Sequence, residues 1–133
     1  MHMMYFDLCR IKVNGKELIV ERFGYDYGID FIGNQKRTFN VITPLGFNKR
    51  DEVSDGYPIF HNLLLSKEQF NLVLEVEVNG EWLTFAEFDK CMVLNKSCVA
   101  EPLISFEFSG RFEEINEHND ALLELTKIEN ESR

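Results

Sequence analysis

The chain has 133 residues, a formal net charge of -9 at pH 7 and 44% hydrophobic residues, among them 12 phenylalanines and one tryptophan. A chain of this length buries about two-thirds of its unfolded surface in one core. We therefore expect a single domain over residues 1–133, with a core at about 7–115 and an acidic tail at 116–133. No run reaches the about 18–20 apolar residues of a membrane span, and the start is too weakly apolar for a signal peptide. These features predict a cytoplasmic protein with no membrane partner.

The charged side chains are unevenly distributed. Residues 1–50 hold eight Lys and Arg against five Asp and Glu, residues 51–112 hold four against eleven, and residues 113–133 hold two against seven. A protein that binds nucleic acid needs a basic face to replace the counterions of the phosphates. We therefore expect no nucleic-acid partner. The acidic excess is explained by solubility, but a basic start and an acidic end also allow copies to stack head to tail.

Residues 9–20 contain an Asn-Gly pair, Asn14-Gly15, between two alternating segments. This is the strongest short-range signal for a β-hairpin. A two-residue turn puts apolar pairs on one face and an opposite-charge pair on the other. The predicted pairs are Val13 with Lys16, Ile11 with Leu18, Cys9 with Val20 and Lys12 with Glu17.

The segment of residues 22–58 is rich in glycine, asparagine and charge. It predicts a strand at 22–27, a long projecting loop through Gly28, Gly33 and Arg37, and a strand at 38–43 that Thr43-Pro44 ends. Residues 58–70 then have apolar residues at helical spacing, with Pro58 suited to the first helical position. They predict one helix, on which His61 is partly buried.

Residues 72–85 contain the second Asn-Gly pair, Asn79-Gly80, and predict a second hairpin. The expected pairs are Val76 with Leu83 and Leu74 with Phe85 on the buried face, and Glu75 with Thr84 and Glu77 with Trp82 on the other. The acidic pairs Glu75 with Glu77 and Glu113 with Glu114 are therefore expected to face solvent.

The closing stretch, residues 91–112, reads CMVLNKSCVAEPLISFEFSGRF. It predicts a strand near 91–94, a loop at 95–102 and a strand at 103–112 whose even positions face inward, with a bulge or bend at Gly110. After Ile115 the chain forms either a short amphipathic helix or a frayed acidic tail. The whole pattern predicts a mainly β fold with one helix, built as two packed antiparallel sheets in a barrel-like arrangement.

Residues that could do chemistry are scattered. The three cysteines have no CxxC spacing, and the three histidines lie far apart, so no metal site is indicated. We expect free, buried thiols, with Cys91 as a small core residue. No GxSxG, GxGxxG or phosphate-binding loop occurs. The sequence therefore predicts no enzyme, no cofactor and no metal.

Several segments in order resemble a known family: IKVNGKELIV (11–20), RFGYDYGID (22–30), FIGNQKRT (31–38), the lone helix, and LTFAEFDKCMVLNKSCVAEPLISFEFSGRFEEI (83–115). This series, over about residues 7–118, resembles the Hcp (TssD) tube protein of type VI secretion systems, particularly its Bacteroidetes branch. It is more remotely similar to the tail-tube proteins of contractile phages.

The resemblance implies a barrel-like subunit, six of which close a ring, with rings stacked into a tube. It also implies effector cargo, sheath or spike proteins as partners, and export through the apparatus without a signal peptide. A main tube subunit, a divergent paralogue and a baseplate-side component all remain open. By position, the loop Tyr25–Thr38 reaches the next ring, where Lys36 and Arg37 meet acidic groups. The candidate contacts are Tyr25, Tyr27, Asp30, Phe31, Lys36, Arg37, Glu113, Glu114 and Glu117.

One alternative from another class stays open at this stage. A monomeric β-barrel that binds a small ligand or acts as an adaptor has the same strand pattern. The two hypotheses differ in the size of the particle in solution.

Overall fold

The computed structural model describes residues 2–29, 31–44, 56–99 and 105–118, and the expected mainly β fold with one helix is confirmed. The elements in chain order are β1 (His2–Val13), β2 (Lys16–Ile29), β3 (Gln35–Pro44), α1 (Gly56–Ser66), β4 (Phe70–Val78), β5 (Glu81–Val99), β6 (Ser105–Arg111) and β7 (Glu114–Glu117). In these ranges no helix is long and apolar enough to cross a bilayer. The middle stretch 45–55 and the tail 119–133, including its predicted helix, lie outside the described residues.

The strands form one antiparallel sheet that closes into a ring. Their order is β4-β1-β2-β3-β6-β5-β7, and β4 also pairs with β5. β6 and β7 pair with successive parts of β5, so β7 extends the wall that β6 begins. The two expected sheets are thus opposite walls of one hydrogen-bonded ring, which is not a regular barrel.

Phenylalanine side chains fill the space between the walls. The ring centroid of Phe23 lies 5.5 Å from that of Phe88 and 6.3 Å from that of Phe39. On the helix, Phe60 is fully buried and packs against Phe70 and Phe108. Each such side chain stabilises the fold by about 1.5–3 kcal/mol relative to an exposed one. Tyr57 of the helix packs against Phe106 and Phe108 as well, so two aromatic side chains help to hold the helix to the ring.

The first hairpin has the predicted register. All four predicted pairs are present, and Asn14 and Gly15 have φ values of 49° and 86°. Positive φ at both central residues is what a type I′ turn requires, and Asn and Gly tolerate it best. Because turn and alternation agree, local sequence determines this hairpin.

The second hairpin has the predicted pairs near its turn but not farther out. Val76 faces Leu83 as expected, yet Leu74 faces Ala86 and not Phe85, because the register shifts between Leu74 and Glu75. Phe85 and Ala86 are both buried. A bulge lets consecutive residues point into the core, which strict alternation does not predict.

Glu75 is buried, so the prediction that it faces solvent is wrong. It is 5% exposed, and its carboxylate lies 2.6 Å from Arg10 Nε and 3.7 Å from Lys12 Nζ. β4 pairs with β1 as well as with β5, and Arg10 is the residue opposite Glu75. The Arg10 guanidinium also lies 4.7 Å from the centre of the Trp82 ring. Two cations therefore compensate the buried charge.

The long loop predicted between the strands at 22–27 and 38–43, which the resemblance extends to Tyr25–Thr38, is mostly strand. β2 continues to Ile29 and β3 starts at Gln35, so the pairs Asp26 with Thr38, Tyr27 with Arg37, Gly28 with Lys36 and Ile29 with Gln35 extend the β2–β3 hairpin. The prediction failed because glycine and charge suggested a loop, whereas cross-strand pairing extends the hairpin. Only its tip is irregular.

The closing stretch also contains more strand than predicted. β5 runs unbroken to Val99, so the loop expected at 95–102 is absent from 95–99, and residues 100–104 lie outside the described part. Val93 faces Gly110 and Asn95 faces Ser109. The extra residue is therefore Leu94 of β5, opposite the predicted bulge site. Phe108 and Phe112 point inward as expected.

The three thiols differ in environment. Cys9 and Cys91 are buried, as predicted, and burial raises the pKa of each to about 12. Cys98 is exposed, contrary to expectation. It lies in residues 94–98 of β5, all of which are exposed. Cys91 is therefore the small core residue that was predicted.

The helix is shorter than predicted. It runs from Gly56 to Ser66, and Lys67, with a φ of 57°, ends it. The Lys67 N–H donates to the carbonyl of Leu63 at 3.0 Å, a helix-ending bond to an orphan carbonyl. His61 is half-buried, as expected, with Nδ1 3.3 Å from Lys96 Nζ. Phe70 belongs to β4.

Candidate assembly surface

The far end of the β2–β3 hairpin is an exposed arm, here defined as residues 27–38 without Asp30, which lies outside the described residues. Every described residue from 29 to 38 is exposed. Three of them are large and apolar: Ile29 is 61% exposed, Ile32 70% and Phe31 99%. An apolar tip of this kind is typical of a surface that another molecule covers.

The base of the arm is tied to the rest of the chain. Arg37 Nη1 donates to the carbonyl oxygen of Glu113, and the Phe112 N–H donates to the carbonyl of Arg37 at 3.2 Å. Lys36 Nζ lies 3.7 Å from Asp26 Oδ2. The two cations expected to reach a neighbouring copy therefore already have contacts within one chain.

Two tyrosines of β2 bind one carboxylate of β7. The Tyr25 hydroxyl donates to Glu117 Oε2 at 2.6 Å, and the Tyr27 hydroxyl donates to Glu117 Oε1. Their rings stack with centroids 6.1 Å apart. Because these residues are 90 and 92 positions from Glu117, no local pattern could reveal this contact. We call the three residues the tyrosine clamp.

Burial and the carboxylate both disfavour phenolate in the tyrosine clamp. Burial, followed by the bond to Glu117, raises the pKa of Tyr25 well above its ordinary value. The bond to Glu117, followed by burial, raises the pKa of Tyr27 to about 12. At neutral pH both hydroxyls are donors, so the clamp ties β7 to β2.

The clamp predicts a loss of stability at alkaline pH. A phenol titrates near pH 10 in an unfolded chain, so a higher pKa in the fold contributes stability that is complete below pH 10. It declines as the pH rises towards and through about 12. We expect the free energy of unfolding, measured with urea, to fall from about pH 10 upward.

The control for this prediction removes the phenols. The double variant Tyr25→Phe with Tyr27→Phe should be less stable at pH 7 and show a smaller loss above pH 10. Tyr5→Phe removes an exposed phenol outside the clamp and should behave as the unmodified chain. Equal alkaline losses in all three proteins would contradict the role of the clamp.

The remaining predicted residues divide by exposure. Glu113 and Glu114 lie 3.7 Å and 3.9 Å from Lys90 Nζ, with side chains 49% and 65% exposed, so both are at the surface as predicted. Tyr25 is 2% exposed and is left out of the contact surface. The structure brings Arg37 to Glu113 and both tyrosines to Glu117.

Comparison with known proteins rests on structure alone, since no family profile and no curated protein sequence matches this chain. A crystal structure of an Hcp protein aligns with a TM-score of 0.59 and 8% identity, over 83% of this chain and 90% of that one. Hcp1 from Flavobacterium johnsoniae aligns with a TM-score of 0.56 and 14% identity, over 82% and 93%.

The chain has an Hcp-like fold. The resemblance predicted from sequence is thereby confirmed for the fold. In this Hcp-like chain the alignments cover most of both partners. Identities this low extend the similarity no further than the fold.

Proposed function

We propose that this chain is a non-enzymatic structural subunit that assembles into rings, with six members expected, and that the rings stack into the tube of a type VI secretion or related contractile injection apparatus. The observation that carries the proposal is the Hcp-like fold over 83% of the chain. The exposed apolar arm supports it independently. Effector cargo and sheath or spike proteins are the partners this function implies.

A free strand edge supports contacts within a ring. β1 pairs with β4 only over Arg10–Val13, so in the described part of the chain the edge of residues 2–9 that faces away from β2 has no strand partner. Such an edge exposes backbone N–H and C=O groups and invites pairing with another chain. We propose that it pairs with the neighbouring subunit of the same ring.

The arm supports contacts between rings. Phe31 at its tip is almost wholly exposed. Because a phenylalanine ring buries a large apolar area when a partner covers it, this residue would contribute much to the free energy of association. Lys36, also on the arm, has a side chain 46% exposed. Glu113 and Glu114 offer the opposite charge, and such complementarity would set the orientation of a stacked copy. A head-to-tail contact of this type grows as a filament of rings.

The alternative, a monomeric ligand-binding barrel, needs an interior cavity. Phenylalanine rings occupy the interior of this ring of strands, with centroid distances of 4.9–6.3 Å along Phe39, Phe23, Phe88 and Phe112. This packing favours a subunit that works through its surfaces.

Size in solution tests the proposal. We expect the purified chain, at high concentration and low salt, to elute as a ring-sized particle and to show rings or short tubes by negative-stain electron microscopy. The physical reason is that the β1 edge and the arm then bury surfaces that are exposed in one copy. A particle of monomer mass under all these conditions, with no rings in the images, would contradict it.

A further inference from the structure

A small groove lies on the outer face of strands β1, β2, β3 and β6, away from the arm tip, and Tyr25 of the tyrosine clamp contributes to its lining. Four strands contribute neighbouring residues, since Tyr5 faces Gly24, Gly24 faces Asn40 and Asn40 faces Ser109. Its volume is about 230 Å³, and its lining includes Tyr5, Asp26, Thr38, Asn40, Glu107 and Ser109. This is smaller than the cavities that hold drug-sized ligands. It has room for one side-chain group.

A carboxylate oxygen in this groove lacks a donor. Asp26 is 7% exposed, and its Oδ2 lies 3.7 Å from Lys36 Nζ. Its Oδ1 is buried and has no hydrogen-bond partner among the residues that the structure describes. Buried polar atoms are nearly always hydrogen-bonded, and an exception indicates a missing partner. The groove therefore lacks one hydrogen-bond donor at Asp26.

The neighbouring polar groups are also acceptors. Asn40 Nδ2 donates to Glu107 Oε2 at 3.3 Å, which turns the amide oxygen the other way, towards Gly24: a Cβ at Gly24 would lie 2.4 Å from Asn40 Oδ1. Glu107 has no ion pair with any residue the structure describes. Two carboxylates and one amide oxygen thus face a groove in which Lys36 is the paired cation.

The aromatic ring of Tyr5 also lines the groove. Tyr5 is 55% exposed, and its ring atoms lie 2.6 Å from where a Cβ of Gly24 would be. Glycine at position 24 is therefore what allows the ring to lie across β2. An aromatic face beside carboxylates is an arrangement that attracts organic cations.

We propose that this groove binds the guanidinium group of an arginine side chain from a partner protein. A guanidinium is planar, permanently charged and carries five N–H donors. It can therefore donate hydrogen bonds to Asp26 Oδ1 and to the Glu107 carboxylate while its plane stacks on the Tyr5 ring. A metal ion fits less well, because in the described ranges no three His, Cys, Asp or Glu side chains are grouped. The site would anchor an extended basic segment on the outside of the ring of strands, beside the β1 edge and the base of the arm.

The test is a titration with the peptide acetyl-Gly-Arg-Gly-amide, followed by backbone amide shifts in NMR spectra. We expect shifts at the groove and a Kd of about 1 mM, as for a single charged side chain. The same peptide with citrulline, which is isosteric but uncharged, should bind at least about tenfold more weakly. The Phe31→Ser variant should bind the peptide equally well, which separates this site from assembly.

Variants locate the site. Asp26→Asn and Glu107→Gln should each weaken binding about tenfold, and Tyr5→Ala should weaken it several-fold. Glu81→Gln makes the same charge change at the exposed end of the β4–β5 hairpin and should have no effect. Circular dichroism checks that every variant is folded.

Three outcomes would overturn the proposal. Equal binding of the citrulline peptide, or equal loss in Glu81→Gln, would show non-specific attraction. Shifts at the groove with Mg²⁺ or Ca²⁺ but not with the arginine peptide would assign a metal site. No shifts up to about 10 mM peptide would leave an ordered water as the partner of Asp26.

Discussion

Replacing Phe31 by serine is expected to abolish the stacking of rings while leaving the subunit folded. The side chain is 99% exposed, so its loss should change the free energy of unfolding by no more than about 0.5 kcal/mol. In a stacked tube each buried phenylalanine would contribute about 1.5–3 kcal/mol, or about 9–18 kcal/mol per contact between six-membered rings. Electron microscopy should show single rings and no tubes.

A second exposed apolar side chain provides the matched control for Phe31→Ser. Leu65 on α1 is 70% exposed, so Leu65→Ser removes a similar apolar surface away from the arm. It should leave tube length and abundance unchanged. Tubes of normal length with Phe31→Ser, or an equal loss with Leu65→Ser, would show that the arm tip is not the contact.

Gly110→Ala is expected to lower the free energy of unfolding strongly. A Cβ at this position would lie 2.0 Å from the carbonyl oxygen of Met92 and 2.9 Å from a ring atom of Phe39. Because the first contact is with backbone of the paired strand β5, relief requires separating β5 from β6. We expect a loss of about 3 kcal/mol or more, measured by urea unfolding.

Gly33→Ala is the control for this change. Gly33 has a φ of +92° but no atom within 4 Å of the added methyl group, so alanine should cost only the backbone strain of about 1 kcal/mol. The difference between the free energies of unfolding that the two variants lose gives the cost of the steric contact at Gly110. If both cost the same, the close approach of β5 and β6 at Gly110 is not as described.

Some of the basic residues at the start of the sequence contact acidic residues or carbonyl groups of the same chain. The basic residues of the arm base contact the same chain, Lys36 at Asp26 and Arg37 at the Glu113 carbonyl. Charge reversal at these positions would therefore disturb the fold as well as any contact between copies. Phe31→Ser at the exposed tip is expected to disturb the contact between copies and not the fold, so it separates the two effects.

How far the sequence predicts this structure depends on the separation of the interacting residues. The first hairpin was predicted pair by pair, because turn chemistry and alternation act over a few residues. The arm was misread as a loop, since the pairing of Ile29 with Gln35 depends on how the rest of β2 and β3 align. Composition is a weak guide where cross-strand pairing decides.

The candidate sites show the same difference between features set by local sequence and features set by long-range contacts. Phe31 and the acidic pair Glu113 and Glu114 were proposed as contacts from their position in a family-like pattern. The orphan oxygen of Asp26 was not, because a buried carboxylate is recognisable only when its neighbours are known. Nothing local distinguishes Asp26 from the solvated acids of the chain.

The sequence by itself determined the class of fold, the two Asn-Gly turns and the inward face of the last long strand, because periodicity and turn residues act locally. The order of its segments carried the resemblance to Hcp. Only the tertiary structure decided the bulge opposite Leu74, the placement of the extra residue at Leu94 opposite Gly110, the burial of Glu75 against Arg10, the tyrosine clamp on Glu117 and the groove at Asp26. These features join residues that are far apart in the chain, and their energies arise only when the ring of strands closes and excludes water.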